Sequence, residues 1–187
     1  MASTRIAQGV SRVPEDVFIE DGMEVVAGGL TVTAGTTTIG GSFVRDMVTL
    51  TATDAITVAE HAGRILLMGE VGGDAAATFT LPAATGSGAE FQFIVSVVNT
   101  SNYIIAVADA TDTIDGSVIL HQDSADTVAS FNTASDSDTI TLNGTTKGGV
   151  SIGDEITLID IATNQYMVKG VLTASGTEAT PFSAAVS

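Results

Sequence analysis

Imidazoles, carboxylates and glycine-rich turns are the places where this 187-residue chain could do chemistry. It carries two histidines, His61 and His121, and no cysteine, so a zinc site would have to recruit carboxylates from distant segments. A serine nucleophile would need one of those imidazoles beside it. We expect solvent-facing or corner histidines, no catalytic residue and no metal ligand. The run DATDTIDG spaces Asp109, Asp112 and Asp115 three apart ahead of Gly116, a hard-oxygen pattern that departs from the 1, 3, 5 spacing of a calcium-binding EF-hand loop. Asp115-Gly116 reads as a hairpin turn, and Asp109, Asp112, Asp123, Asp126, Asp136 and Asp138 as solvated turn carboxylates. Paired carboxylates for glycoside cleavage need only closeness in space, and 22 acidic residues make chance pairs common. The segment NGTTKGG at 143–149 reverses the order of a phosphate-binding G-K-T. Asn143-Gly144 is instead the strongest hairpin signal in the chain. No cofactor is expected.

The elements around these residues read as strands. In the stretch 75–99, Thr78, Phe79, Thr80 and Leu81 suit a pleated, half-buried surface, and Pro82 lacks the N–H to extend a ladder. After a turn at Gly86-Ser87-Gly88, Phe91, Phe93, Val95 and Val97 share one face, while Ile94 and Val98 lie with Gln92 and Ser96 on the other. That pattern predicts a mid-sheet strand buried on both sides. Thr57, Glu60 and Gly63 bracket one helical turn as N-cap, capping-box partner and C′ stop, followed by an apolar strand at 65–68. Further strands are predicted at 78–81, 89–98, 103–108, 117–121, 127–131, 138–142, 155–161 and 165–172, spaced as in a sandwich, jelly roll or barrel. The fold class is all-β, a β-sandwich or jelly-roll-like domain over 46–187.

Charge narrows the partners. Acidic residues outnumber basic ones by 22 to 6, a formal charge of −16, so nucleic acid meets net repulsion over most of this surface. Residues 1–13 nevertheless carry Arg5 and Arg12 and no acid, a basic start on an acidic body. That start lacks the apolar core of a secretory signal, and no apolar run approaches the roughly 18 residues of a membrane span. We expect neither a membrane nor a nucleic-acid partner.

Residues 1–20 show no alternation and read as an extended arm, with Arg5, Ile6, Val10, Arg12 and Val13 as its partner-binding side chains. Over 21–45 the runs around Leu30, Val32 and Ile39 are short and broken by Gly28-Gly29, Gly35 and Gly40-Gly41. Such pieces are marginal alone in water, which points to packing against copies of the same segment around an axis, and we expect a homotrimer. Leu30, Val32 and Ile39 are the expected trimer contacts.

The block GGLTVTAGTTTIGG resembles the Gly-Thr-Val segments of trimeric phage fibre and virion proteins. Over 48–187, the order VTLTATDA, AEHAGRILLM, TFTLPAATGSGAEFQFIVSVVNTSNYIIAV and DGSVI, with the later SDTITLNG, resembles a β domain recurring in tailed-phage head decoration proteins and fibre heads. The resemblance implies a virion component on the capsid exterior, made in the host cytoplasm, that binds the major capsid protein and cements the shell without turnover. A tail fibre or appendage with a receptor-binding head is the alternative. A secreted carbohydrate-binding module is a third reading, short of a signal peptide and of a Trp or Tyr platform.

Overall fold

Alternating apolar side chains draw about half of the described residues into strands, as seen in a computed structural model that describes residues 42–69, 76–98 and 100–186. Two units separate by their contacts, Met1–Phe43 and Val44–Ser187, and the second holds every element that follows. In chain order these are β1 (Met47–Leu50), β2 (Asp54–Ala55), α1 (Val58–His61), β3 (Ile65–Met68), β4 (Ala77–Thr80), β5 (Glu90–Val95), β6 (Tyr103–Ala106), β7 (Thr113–Gln122), β8 (Val128–Asn132), β9 (Thr139–Leu142), β10 (Glu155–Ala162), β11 (Gln165–Ala174) and β12 (Phe182–Ser183).

They form a seven-stranded sheet, β1-β3-β5-β10-β11-β7-β8, and a five-stranded sheet, β12-β9-β6-β4-β2. The first six strands alternate between the sheets. A strand therefore meets its sheet neighbour after a full circuit and runs parallel to it: β1 with β3, β3 with β5, β2 with β4, β4 with β6. Crossing between layers supplies the long connection that parallel neighbours require. Two hairpins, β7-β8 and β10-β11, complete the larger sheet, and β7 lies parallel to β11. The expected two-layer β architecture is present, but these parallel ladders depart from the antiparallel order of a jelly roll.

One apolar core fills the space between the sheets. At its centre Phe79 of β4 stacks on Phe93 of β5 across the layers, with ring centroids 6.0 Å apart, and Tyr103 of β6 lies 6.4 Å from Phe79. Each such fully buried side chain contributes roughly 1.5–3 kcal/mol. β5 is mid-sheet as expected, between β3 and β10. Only one of its faces is sealed: Phe91, Phe93 and Val95 are buried, while Gln92 and Ile94 are half-exposed. Val97 does not continue the inner face. The N–H groups of Ser96 and Val97 both turn onto the Met68 carbonyl, and Val97 and Val98 end exposed.

The helical corner is built as its residues dictate. The Thr57 side chain accepts from the Glu60 N–H at 3.2 Å, and Gly63 takes the left-handed conformation at φ +72° that ends the turn. β4 stops at Thr80, just short of Leu81-Pro82. Two predicted turns are corrected. Asp115-Gly116 lies inside β7, where a Cβ on Gly116 would sit 2.1 Å from the Val168 carbonyl oxygen of β11. The glycine serves close strand approach, not a reversal. Asn143-Gly144 does turn, with the Asn143 side chain accepting from the Thr145 and Lys147 N–H groups. It does not join paired strands, because β9 belongs to the smaller sheet and β10 to the larger.

Candidate functional site

Four aspartates that a surface reading leaves in water, or passes over, are buried. Asp160 is the most committed. It follows Ile156 and Leu158 on the inward face of β10, so the strand period carries its carboxylate under the loop after β4. There it accepts from the Thr85, Gly86 and Ser87 N–H groups at 3.0, 2.7 and 2.9 Å and from the Ser87 hydroxyl at 2.6 Å. Successive backbone N–H groups converging on one anion form a nest, the geometry that holds phosphates elsewhere. In this chain the anion is its own carboxylate. Burial pushes the Asp160 pKa up, but the Ser87 hydroxyl and the three N–H groups outweigh it and hold the group at about 2.

The neighbouring contacts knit one end of the molecule. Asp112 accepts from the Ala84 N–H at 3.2 Å, the Tyr166 hydroxyl donates to the Pro82 carbonyl at 2.7 Å, and the Asn164 N–H donates to the Ala84 carbonyl at 3.0 Å. The tips at Thr85, Gly86 and Ser87 stay exposed above this base. Elsewhere Asp154 accepts from the Gly149 and Thr173 N–H groups at 2.8 and 2.9 Å, and Asp138 accepts from the Ala185 and Val186 N–H groups. Desolvation pushes the Asp112 and Asp154 carboxyls above the usual range, because burial outweighs the N–H bonds they accept.

Asp112 and Asp138 are thus not solvated turn residues, at 2% and 5% exposure. Asp115 sits in β7 and accepts from Gln165, whereas Asp109, Asp123, Asp126 and Asp136 are exposed as expected. Asp154 and Asp160 escaped sequence reading, although Asp160 gave a signal: an acid in register with buried Ile156 and Leu158 along an apolar strand. His61 is a corner residue, but a buried one. Its Nδ1 accepts from the Thr57 N–H at 3.0 Å, leaving the ring hydrogen on Nε2, 3.8 Å from Asp54. His121 is exposed on β7. Among the described residues no three His, Asp or Glu side chains cluster as metal ligands, and no helix is long and apolar enough to cross a membrane. Arg5, Ile6, Val10, Arg12, Val13, Leu30, Val32 and Ile39 lie outside the described residues.

What remains open is the outer face of the seven-stranded sheet. Register aligns Thr49, Leu67, Ile94, Glu155, Val171, Ile119 and Ser130 in one row across all seven strands. Val171 and Ile119 are 50% and 41% exposed, and Leu67 and Ile94 are half-exposed. Beside this row runs a polar chain. Arg45 pairs with Glu90 at 3.5 Å and donates to Gln92, whose amide donates to Glu155 at 2.8 Å. Lys169 adds a second cation near a shallow depression bounded by Glu155, Val171 and Ile119. In a chain of net charge −16, a face that mixes apolar side chains with both signs is suited to contact with another macromolecule. Comparison of the chain with protein-family models, curated proteins and solved structures finds no match.

Proposed function

We propose that this protein is a structural component of a tailed-phage particle, a decoration or cement protein that binds the outside of the head and stabilises the shell. The observation that carries the reading is the outer face of the seven-stranded sheet, where apolar Leu67, Ile94, Val171 and Ile119 stay accessible in one row. The buried carboxylates support adhesion over turnover, because Asp112, Asp138, Asp154 and Asp160 are all buried and each accepts from backbone N–H groups. A general acid or base needs an oxygen free to reach substrate.

In this reading residues 1–20 are the arm that reaches over the major capsid protein, with Arg5, Ile6, Val10, Arg12 and Val13 in contact. Residues 21–45 gather copies into a homotrimer through Leu30, Val32 and Ile39, and 46–187 is the outward body. Three arms on one trimer add weak contacts through effective concentration, and the acidic body limits sticking between particles. The test is removal of residues 1–20: the truncated protein is expected to keep its fold and oligomeric state and to lose binding to heads. Undiminished binding overturns the arm. The knitted loop end, with Thr85 to Ser87 held rigidly at its tip, favours a second reading as a receptor-binding fibre head. Immunogold labelling of tails instead of heads would establish that one.

A further inference from the structure

Strand β8 ends the seven-stranded sheet with one edge unpaired. Its ladder to β7 places Gln122 opposite Thr127 and Gly116 opposite Thr133, and the Gln122 and Thr133 N–H groups donate across those pairs at 3.1 and 3.0 Å. Hydrogen-bonded pairs alternate with non-bonded ones in an antiparallel ladder. Ala129 and Phe131 therefore face β7 with their backbone groups, and Val128, Ser130 and Asn132 turn theirs outward. Among the described residues nothing pairs with that edge. Edge strands ordinarily carry a charge, a proline or a bulge that blocks pairing. The sequence VASFN has no charged residue and no proline, and its register with β7 is unbroken.

We infer that β8 is a self-pairing edge that joins two copies of this chain antiparallel across a two-fold axis through Ser130, making one continuous sheet. The outward groups are symmetric about that residue, so Ser130 meets its own copy while Val128 meets Asn132 of the other, exchanging about six hydrogen bonds. The exposed Val128 side chain, 61% accessible, gains cover. A second copy fits because the five residues are neutral and their outward backbone groups are self-complementary about Ser130, while exposed Asp123, Asp126 and Asp136 flank the strand, so the pairing is expected to need salt that screens them. One strand pair is a small contact. It closes when copies are concentrated, as on a crowded surface, and stays open in dilute solution. The pairing does not depend on the capsid reading.

Amide hydrogen exchange on the full chain, at low and high concentration in moderate salt, tests it together with sedimentation. Protection at Val128, Ser130 and Asn132 is expected to rise with concentration, while Ala129 and Phe131 are protected throughout and Met47 and Thr49 on the opposite edge do not change. Sedimentation mass is expected to rise in parallel, and Ser130→Pro and Ser130→Lys to abolish the rise. Neither removes a bond to β7, and the lysine variant decides if the proline variant misfolds. Fast exchange at all three amides at the highest concentration overturns the proposal. So does protection appearing at Met47 and Thr49 instead, protection that comes only with another protein, or association that survives both substitutions.

Discussion

The Ser87 hydroxyl donates to the Asp160 carboxylate at 2.6 Å and the Ser87 N–H to the same oxygen at 2.9 Å, so one side chain on β10 closes the loop that follows β4. Replacing that carboxylate leaves several donors facing a poorer acceptor. Asp160→Asn is expected to cost about 2–3 kcal/mol at neutral pH, measured by urea denaturation, with faster exchange of the Gly86 and Ser87 amides. Loss of less than half a kilocalorie would show that water replaces the carboxylate without penalty.

Asp160 also gives the acid side of the stability curve a sign. Its folded pKa of about 2 lies below the ordinary 3.8, so its contribution is present above about pH 4 and is lost as pH falls toward 2. In Asp160→Asn that part of the acid loss is expected to vanish, read from denaturation midpoints across that window.

Asp154 acts in the opposite sense. Its folded pKa is raised, so the folded state takes up a proton before the unfolded chain does and stability grows as pH falls from neutral toward 4. Relief of self-repulsion in a chain of charge −16 works in the same direction. We expect maximal stability at mildly acidic pH, and a shallower rise toward it in Asp154→Asn. Monotonic loss of stability from pH 7 downward contradicts this.

Gly116 and Gly88 both hold a positive φ, +144° and +75°, and differ in what a side chain there would meet. A Cβ on Gly116 meets the Val168 carbonyl oxygen at 2.1 Å, whereas one on Gly88, at φ +75°, meets nothing within 4 Å. Gly116→Ala is expected to cost more than about 3 kcal/mol and Gly88→Ala about 1–2 kcal/mol. Equal costs would mean that β7 and β11 can move apart.

Phe93 and Val97 test where β5 ends. Phe93→Ala removes a fully buried ring stacked on Phe79 and is expected to cost about 3–5 kcal/mol. Val97, 44% exposed beyond the strand, is expected to change stability by less than about 0.5 kcal/mol as alanine. Thermal denaturation of the two variants distinguishes them.

Much of the fold was legible residue by residue because its signals are local. Alternation over Phe91, Phe93 and Val95 marked the inner face of β5, the Thr57, Glu60 and Gly63 spacing marked the helical corner, and the stops around Pro82 and Gly144 fell where strands end. These depend on neighbours a few positions away, whose geometry is set by backbone period and dihedral preference.

The candidate site was less legible, because Asp160 finds its partners about 75 residues upstream, Asp112 lies 28 from Ala84 and Asp138 lies 47 from Ala185. An aspartate in a turn-rich sequence looks the same whether water or a distant loop satisfies it. The amino-acid sequence alone determined that this chain makes strands, which faces of many of them are apolar, and how acidic the molecule is. Only the tertiary structure decided which strands lie side by side, that Asp115-Gly116 runs inside β7, and which carboxylates are buried, since alternating between two sheets brings together segments that no local pattern links.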